Sequence, residues 1–158
     1  MPENFSEYDI SKFNNNNFVM QFNNLPDVTF FLHSMPFPTI NASVVNVNMP
    51  NFPIKYGMPS TTLDYGVIDC DILLDEKLTT WFSIYDWMIY NTKHANLNDY
   101  FTQATILVFT NAKNPMLRVD LVDCFPITLS SFQLQVESSE FQTFSATFQY
   151  RNIKYTRV

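Results

Sequence analysis

The side chains that most often carry nucleophilic or acid–base catalysis are few in this sequence and far apart. Its two histidines are His33 and His94, and its two cysteines are Cys70 and Cys124. A Ser-His-Asp or Cys-His site needs a nucleophile, a base and an orienting group within hydrogen-bond reach of one another. No nucleophile-elbow motif surrounds any of these residues, and we predict no catalytic residue. Both cysteines are interpreted as buried free thiols.

Metal binding is the second chemistry that these residue types could support. Zinc sites are typically built from close pairs of Cys or His, and neither cysteine has such a neighbour in the sequence. Asp69 and Asp71 project from the same face of a predicted strand, where they would suit a metal ion or an acid pair. Strand alternation alone also explains them as a solvated acidic face. We adopt this second interpretation and predict no metal and no cofactor.

Composition and charge exclude several further classes of function. The 158 residues are 46% hydrophobic and 15% charged, and their formal net charge is −6. A chain of that length can bury a substantial core, but an acidic chain lacks the basic footprint that grips nucleic acid. With two glycines against nine prolines, it has no glycine-rich phosphate loop or dinucleotide fingerprint. Because the sequence has neither a secretory signal nor an apolar run of ~18 residues, we expect a soluble protein with no membrane partner.

The chain is predicted to begin with an arm and a β-hairpin. Residues 1–17 are polar and end in four consecutive asparagines, a composition that cannot supply a core face. We therefore expect a flexible or partner-docked arm. Phe18–Phe22 has the alternation of a short strand, and the turn chemistry of 24–27 joins it to a second extended run, Val28–His33. These two strands are predicted to pair with each other.

Residues 34–62 differ in composition from the rest of the chain. Five prolines remove backbone donors and exclude a regular central strand through most of this segment: Pro36, Pro38, Pro50, Pro53 and Pro59. Between them, Ile40–Val47 is rich in β-branched residues and is predicted to form an edge strand or an extended arm. Its exposed length invites pairing with a neighbouring chain, although an ordinary long surface loop is the alternative.

An acidic strand and an amphipathic helix are predicted next. In Leu63–Leu74, the even-numbered residues from Ile68 onward are apolar and predict the buried face. The period then changes, and the apolar spacing over 76–91 predicts a helix with Asp75 as its cap and Glu76 in its first turn. Because six large apolar residues share one stripe, this helix is expected to pack on a sheet.

A second hairpin is predicted after the helix. Ala104–Thr110 and Met116–Asp123 each alternate apolar and polar residues, as half-buried strands do. The turn-forming residues between them indicate that the two strands pair. Phe125-Pro126 is predicted to end the second strand, because proline cannot donate to a sheet ladder.

The closing part of the chain is also predicted to be β-structure. A short strand is expected over Gln133–Glu137, and a longer one over Phe141–Tyr155. The apolar phase of the longer strand slips at Asn152, which predicts a bulge or bend there. The fold class is therefore mainly β with one helix (α+β), in a single domain over residues 1–158 that includes the arm and the insertion.

Five segments, taken in their order along the chain, carry a resemblance to a known family. They are Asn17–Phe22, Leu63–Ile68, Trp81–Trp87, Leu121–Leu129 and Phe141–Tyr150. With the order of predicted elements, they resemble the tail tube protein family of contractile-tailed (T4-like) bacteriophages, including its tube-initiator and hub relatives. The likeness extends over nearly the whole chain and depends on order and spacing. The scarcity of glycine and the extra C-terminal residues 151–158 depart from the family pattern.

The resemblance implies two packed antiparallel sheets that form a tail-tube-like barrel or sandwich with a flanking helix. It also implies a homo-hexameric ring that stacks into a tube, whose lumen conducts DNA and tape-measure protein without specific binding. An acidic wall suits such a conduit, because like charge repels phosphate. The candidate lumen-facing residues are Asp69, Asp71 and Asp120, although a solvated exterior face is the alternative place for them.

The same resemblance assigns the insertion and the arm to contacts between subunits. The candidate inter-subunit residues all lie in the insertion: Ile40, Val44, Val45, Val47, Phe52 and Ile54. Tail sheath and baseplate proteins are expected as further partners in the virion tail, assembled in the host cytoplasm. The alternatives are a baseplate tube-initiator or hub ring protein of the same fold, a monomeric β-rich binding domain and, last, a hydrolase.

Overall fold

Strand alternation builds most of this fold. The computed structural model describes residues 16–25, 32–48, 55–93, 101–134 and 141–158, which contain nine strands and one helix. In chain order these are β1 Phe18–Phe22, β2 Leu32–Ser34, β3 Ile40–Asn48, β4 Lys55–Tyr65, β5 Val67–Leu73, α1 Thr79–Lys93, β6 Thr102–Phe109, β7 Pro115–Leu129, β8 Thr143–Gln149 and β9 Asn152–Arg157. The predicted class, mainly β with one helix, is confirmed.

The strands form two antiparallel sheets that share β7, together with a separate hairpin made of β3 and β4. We call the β1-β6-β7-β9 group the first sheet and the β2-β5-β8-β7 group the second sheet. The early part of β7 pairs with β6 and β9, and its later part pairs with β8. The change falls at Asp123, whose φ of 56° is in the left-handed region and bends the strand. Sharing one bent strand turns the two sheets into a barrel-like sandwich.

The inner faces of the two sheets meet in one apolar core. The ring of Phe22 on β1 lies 4.8 Å from that of Phe148 on β8, and Cys70 Sγ on β5 lies 3.9 Å from Met20 Sδ on β1. The inner face of the closing strand consists of four buried side chains that alternate along the sequence: Phe144, Ala146, Phe148 and Tyr150. Each fully buried large apolar side chain contributes about 1.5–3 kcal/mol to folding.

The helix packs on this core, but its buried face is not the predicted one. The predicted stripe is only half-buried or exposed, with Phe82 at 48% and Tyr85 at 41%. Its six residues are Leu78, Trp81, Phe82, Tyr85, Met88 and Ile89. Ile84 and Trp87 are buried, and the Trp87 ring lies 6.1 Å from Phe148. The helix begins three residues later than predicted, because Leu78 has a left-handed φ of 56° and ends a turn. Glu76 therefore lies in that turn, and its predicted place in the first helical turn is wrong.

Asp75 caps the helix across that turn. Its Oδ2 accepts the Thr79 backbone N–H at 2.9 Å, and its Oδ1 accepts the Thr80 N–H at 3.1 Å and the Thr80 hydroxyl at 2.8 Å. These donors would otherwise be unsatisfied at the helix N-terminus. Desolvation raises the pKa of Asp75, but the hydrogen bonds from Thr80 and Thr79 outweigh it and bring the pKa to about 2.

We expect Asp75→Ala to lower the free energy of unfolding at pH 7 by about 1 kcal/mol. Because the folded pKa lies below the unfolded value of 3.8, the charged cap stabilises fully above about pH 4, and its contribution disappears as the pH falls toward 2. Urea unfolding at pH 7 and pH 3 measures both effects. Asp75→Asn is the matched control, since it retains a capping oxygen but does not titrate. Equal stability of wild type and Asp75→Ala at pH 7 would contradict this role.

The predicted pairing of the first two strands lies mostly outside the described residues, because only Leu32 and His33 of the second strand are described. The described part of β2 pairs with β5, with Leu32 opposite Ile72. β1 pairs with β6, with Phe18 opposite Val108, and from there it places its buried side chains against the opposite sheet.

The predicted end of a strand at Phe125-Pro126 is also wrong. β7 continues to Leu129, with Pro126 opposite Phe148 on β8. Since β6 reaches only as far as Cys124, this part of β7 has strand pairing on one side in the described structure, and an edge position tolerates proline. The predicted bend at Asn152 is confirmed, because β8 ends and β9 begins there with a change of strand partner.

The ends of the chain and the last loop match the predictions in part. Of the predicted arm, the described residues are Asn16 and Asn17, and Asn17 is buried with its Nδ2 donating to the Thr110 carbonyl at 3.4 Å. The rest of the predicted arm, 1–15, lies outside the described residues. Gln133 lies outside any strand, contrary to the prediction, and 135–137 lie outside the described residues. In the described part of the chain, no helix is long and apolar enough to cross a membrane.

Candidate assembly surface

The predicted insertion contains a long antiparallel hairpin. β3 pairs with β4 from Ile40 opposite Tyr65 at its base to Asn48 opposite Lys55 near its tip, with an irregularity between Ala42 and Val44. In the described residues the hairpin forms a sheet of its own. The prediction of an extended edge element is confirmed, whereas the predicted start of the next strand at Leu63 is wrong, because 63–65 belong to β4.

Nearly all of the hairpin is exposed on both faces. Every residue of β3 is exposed, and on β4 only Ser60 and Tyr65 are partly covered. Four of the candidate inter-subunit residues lie here and are large exposed apolar side chains: Ile40, Val44, Val45 and Val47. Phe52 and Ile54 lie outside the described residues. An isolated two-stranded hairpin is only marginally stable in water, and this one presents apolar side chains that a partner would cover.

Aromatic contacts fix the base of the hairpin to the body. The Phe37 ring, just before β3, stacks on Tyr155 of β9 at 6.0 Å and 29°. The Tyr65 ring, at the end of β4, lies 6.2 Å from that of Tyr150. Burial raises the pKa of Tyr150 and of Tyr155, with neighbouring tyrosines adding to the shift, so both hydroxyls stay neutral at physiological pH.

Gly66 joins the hairpin to the second sheet at a close approach. A Cβ at this position would lie 2.9 Å from Thr39 Oγ1, nearer than a real Cβ contact allows. One of the chain's two glycines therefore stands where β4 leaves the hairpin and β5 enters the sheet. With the aromatic contacts, this packing gives the hairpin a defined direction.

Asp69 and Asp71 lie together on the outer face of the second sheet, as their alternation with buried residues predicts. Thr147 Oγ1 donates to Asp69 Oδ1 at 2.6 Å. Ser145 Oγ and Ser34 Oγ each donate to a different oxygen of Asp71 at 2.7 Å. The hydrogen bonds from Ser145 and Ser34 lower the pKa of Asp71, so this face is negatively charged at neutral pH.

Asp120 lies on the other side of the molecule. It alternates with buried Val119 and Leu121 on the outer face of the first sheet, so the core separates it from Asp69 and Asp71. Arg118 Nε contacts its Oδ1 at 2.9 Å, and Thr105 Oγ1 donates to the same oxygen at 2.8 Å. The structure therefore brings two of the three candidate lumen residues together and pairs the third with a cation.

A groove between α1 and the later part of β7 is a feature that sequence reasoning missed. Its volume is about 700 Å³, and apolar side chains from both elements line it, including Trp81, Tyr85, Met88, Phe125, Ile127 and Leu129. Trp81 Nε1 donates to the Ser130 carbonyl at 3.3 Å and ties the helix to the end of the strand. The alternating apolar residues Phe125, Ile127 and Leu129 could have indicated this groove wall. They were not interpreted as strand residues, because the strand was predicted to end at Phe125-Pro126.

The two thiols lie in the core, as predicted. Cys70 and Cys124 are both free and buried, and burial raises the pKa of Cys124 to about 12 and that of Cys70 as well. A thiol held protonated is a poor nucleophile and a poor metal ligand. Among the described residues, no group of three or more His, Cys, Asp or Glu side chains is placed to hold a metal ion.

The arrangement of strands, helix and hairpin is similar to that of solved assembly proteins. No family model and no curated protein matches the chain. The anti-feeding prophage tube-terminating cap is 15% identical with a TM-score of 0.71, over 98% of this chain and 99% of that one. A chain of the PVC sheath-tube complex, an extracellular contractile injection system, is 16% identical with a TM-score of 0.70, over 96% and 94%.

A third similar chain comes from the anti-feeding prophage baseplate, a sixfold-symmetrised structure. It is 10% identical with a TM-score of 0.62, over 88% of this chain and 90% of that one. At these identities the likeness concerns the fold, and it spans nearly the full length of each chain. The fold of this protein is that of the tube and cap proteins of contractile injection systems.

Proposed function

We propose that this chain is a structural subunit of a contractile tail tube and assembles as stacked hexameric rings. The observation that carries the proposal is the β3–β4 hairpin, which presents apolar side chains on both faces of a protein with the tube fold. Exposed edge strands and apolar ribbons are sites of pairing between chains. The role is structural and not enzymatic.

Ring closure and stacking follow from head-to-tail contacts in this proposal. A head-to-tail contact joins two unlike surfaces, and it closes into a ring when the rotation from one subunit to the next completes a full circle. A head-to-tail contact between rings does not close, so stacked rings build an open tube. The sixfold baseplate chain of similar fold supports six subunits per ring. Sheath and baseplate proteins would surround the tube in the virion tail after assembly in the host cytoplasm.

The lumen is proposed to be lined by the outer face of the second sheet. Among its described outward residues are Asp69, Asp71 and four polar residues of β8, with no lysine or arginine. The outer face of the first sheet instead carries Arg118 and Lys154 around Asp120. A negative wall lets DNA and tape-measure protein pass without being held, because like charges repel.

The baseplate-proximal initiator or hub ring is the second candidate function. It is supported by the similar baseplate chain, and it uses the same fold and the same hairpin. The main tube is preferred over the baseplate ring, because the chain from the sheath-tube complex is more similar than the baseplate chain and is covered almost completely.

Negative-stain electron microscopy of the purified protein tests the proposal directly. We expect sixfold rings or hollow tubes that lengthen with protein concentration, with a matching increase in sedimentation coefficient. A chain that forms rings without stacking would favour the initiator or hub. A monomer that persists at high concentration would contradict assembly altogether and would favour the β-rich binding domain.

We expect Asp69→Lys to make assembled tubes retain DNA in the bore. Reversing one charge per subunit places a ring of cations on the proposed wall, where they would bind phosphates by counterion release and weaken with added salt. Retention of labelled single-stranded DNA in pelleted tubes measures binding, and density in averaged cross-sections locates it.

Asp120→Lys is the matched control for this charge reversal. It changes the charge equally on the opposite face and should leave the bore empty of DNA. Bore density in the Asp120→Lys tubes, but not in the Asp69→Lys tubes, would assign the lumen to the first sheet instead.

A further inference from the structure

The exposed apolar residues of the β3–β4 hairpin do not all lie on the same face. Side chains alternate along a strand, and residues directly opposite each other across two strands share a face. Near the tip, Val45 lies opposite Met58 and Val47 opposite Tyr56. These four side chains form one apolar surface, which we call the tip face, and each is 39–55% exposed.

Near the base, the apolar side chains lie on the opposite face. Ile40 lies opposite Tyr65, Ala42 opposite Leu63 and Val44 opposite Pro59. The even-numbered residues of β3 point away from Val45 and Val47. We call this second surface, formed by Ile40, Val44 and Leu63, the base face; the three side chains are 44–63% exposed.

Behind each apolar surface the hairpin is polar or small. The reverse of the tip face carries Asn46 opposite Gly57 and Asn48 opposite Lys55. The reverse of the base face carries Asn41 opposite Asp64. The apolar surface therefore changes sides near the irregularity between Ala42 and Val44, and a flat partner lying on one side can cover only half of it.

The charge of the chain indicates what covers these faces. Copies with a net charge of −6 repel one another, so contacts between them favour surfaces without excess negative charge. Within β3 and β4 the charged residues are Lys55 and Asp64, which sum to zero. The hairpin is thus a surface through which like-charged copies can approach.

We infer that the hairpin of one subunit is held between two other copies of this chain, one covering its tip face and the other its base face. The inference rests on the proposed tube function and adds to it the number of partners that one hairpin contacts. Each hairpin then links three chains, which makes assembly cooperative, because covering one face alone leaves the other apolar surface in water.

Photo-crosslinking counts the partners. Tyr56 on the tip face and Leu63 on the base face are each replaced by benzoyl-phenylalanine in one tagged chain, which is assembled with an excess of untagged wild-type chain and irradiated. We expect a tagged product of three chains from the doubly labelled subunit and of two chains from either singly labelled subunit.

Each other outcome overturns the inference in a distinguishable way. A two-chain limit for the doubly labelled subunit would mean that one copy encloses both faces. A crosslink within the same chain, or assembled tubes without crosslinks, would remove the hairpin from the interface. Failure of the wild-type chain to assemble would overturn the proposed function and this inference together.

Point substitutions give a second test that does not depend on the photo-reactive residue. Met58→Lys on the tip face and Leu63→Lys on the base face should each raise the concentration needed for assembly by about tenfold or more. Leu134→Lys, at a residue 88% exposed outside the hairpin, is the matched control and should leave this concentration nearly unchanged. Sensitivity at one face only would contradict contact with two copies.

Discussion

Replacing residues 41–64 with Asn-Gly is expected to abolish tube formation while leaving a folded subunit. The replacement removes the whole tip face, and of the base face it removes Val44 and Leu63 and leaves only Ile40. Assembly of rings into tubes then loses most of its apolar contact, which is the dominant favourable term in protein association.

The body should fold without the hairpin, for reasons visible at its base. In the described residues β3 and β4 pair only with each other, so no strand of the two sheets loses a partner. Ile40 and Tyr65 are cross-strand partners, and a two-residue Asn-Gly turn closes such a pair. Deleting residues 35–58 instead would disturb the body more. It would remove Phe37 and its stack on Tyr155, and it would leave part of β4 unpaired.

Sedimentation velocity and negative-stain microscopy measure the loss of assembly, and circular dichroism with a thermal melt measures the retained fold. The matched control is Leu134→Ser with Phe141→Ser, two apolar residues that are 88% and 96% exposed outside the hairpin. These substitutions should leave tubes intact. Tubes formed by the hairpin-deleted chain would show that other surfaces suffice for stacking.

Local sequence pattern predicted the elements in which the order of apolar and polar residues follows the burial of successive side chains. The alternation around Cys70 and Phe148 identified buried faces correctly. The 3.6-residue period identified the helix, but its buried face centres on Ile84 and Trp87, which the predicted stripe did not include. Asp75 was predicted as the cap, because its residue type and position before the period change are characteristic of one. The prolines and β-branched residues predicted an exposed extended element over 40–47, but not its pairing with β4, which runs through Pro59.

Strand partners could not be predicted in the same way, because pairing depends on distant parts of the chain. β1 lies next to β6, whose residues are 82 to 90 positions away along the chain. The continuation of β7 through Pro126 depends on where β6 happens to end. Similarly, Asp71 and Asp120 have the same local pattern, and only the packing of the two sheets places them on opposite sides of the core.

Phe148→Ala is expected to destabilise the subunit by about 3–5 kcal/mol, the other large effect that the structure predicts. Phe148 is fully buried on β8, where its ring lies between Phe22 of the first sheet and Trp87 of the helix. Truncation leaves a cavity at the point where both sheets and the helix meet. Since whole domains are stable by only about 5–15 kcal/mol, the substitution removes a large part of the free energy of unfolding.

Urea unfolding monitored by tryptophan fluorescence measures this change, since Trp87 reports on the same contact. Phe82→Ala is the matched control on the exposed side of the helix, where the ring is 48% accessible, and it should cost far less. Phe148→Ala and the hairpin deletion differ in what they change, and the melt separates them. The first lowers the stability of the fold that positions the hairpin, and the second removes the hairpin from an intact fold. A Phe148→Ala chain with wild-type stability would contradict the core contact that joins the two sheets.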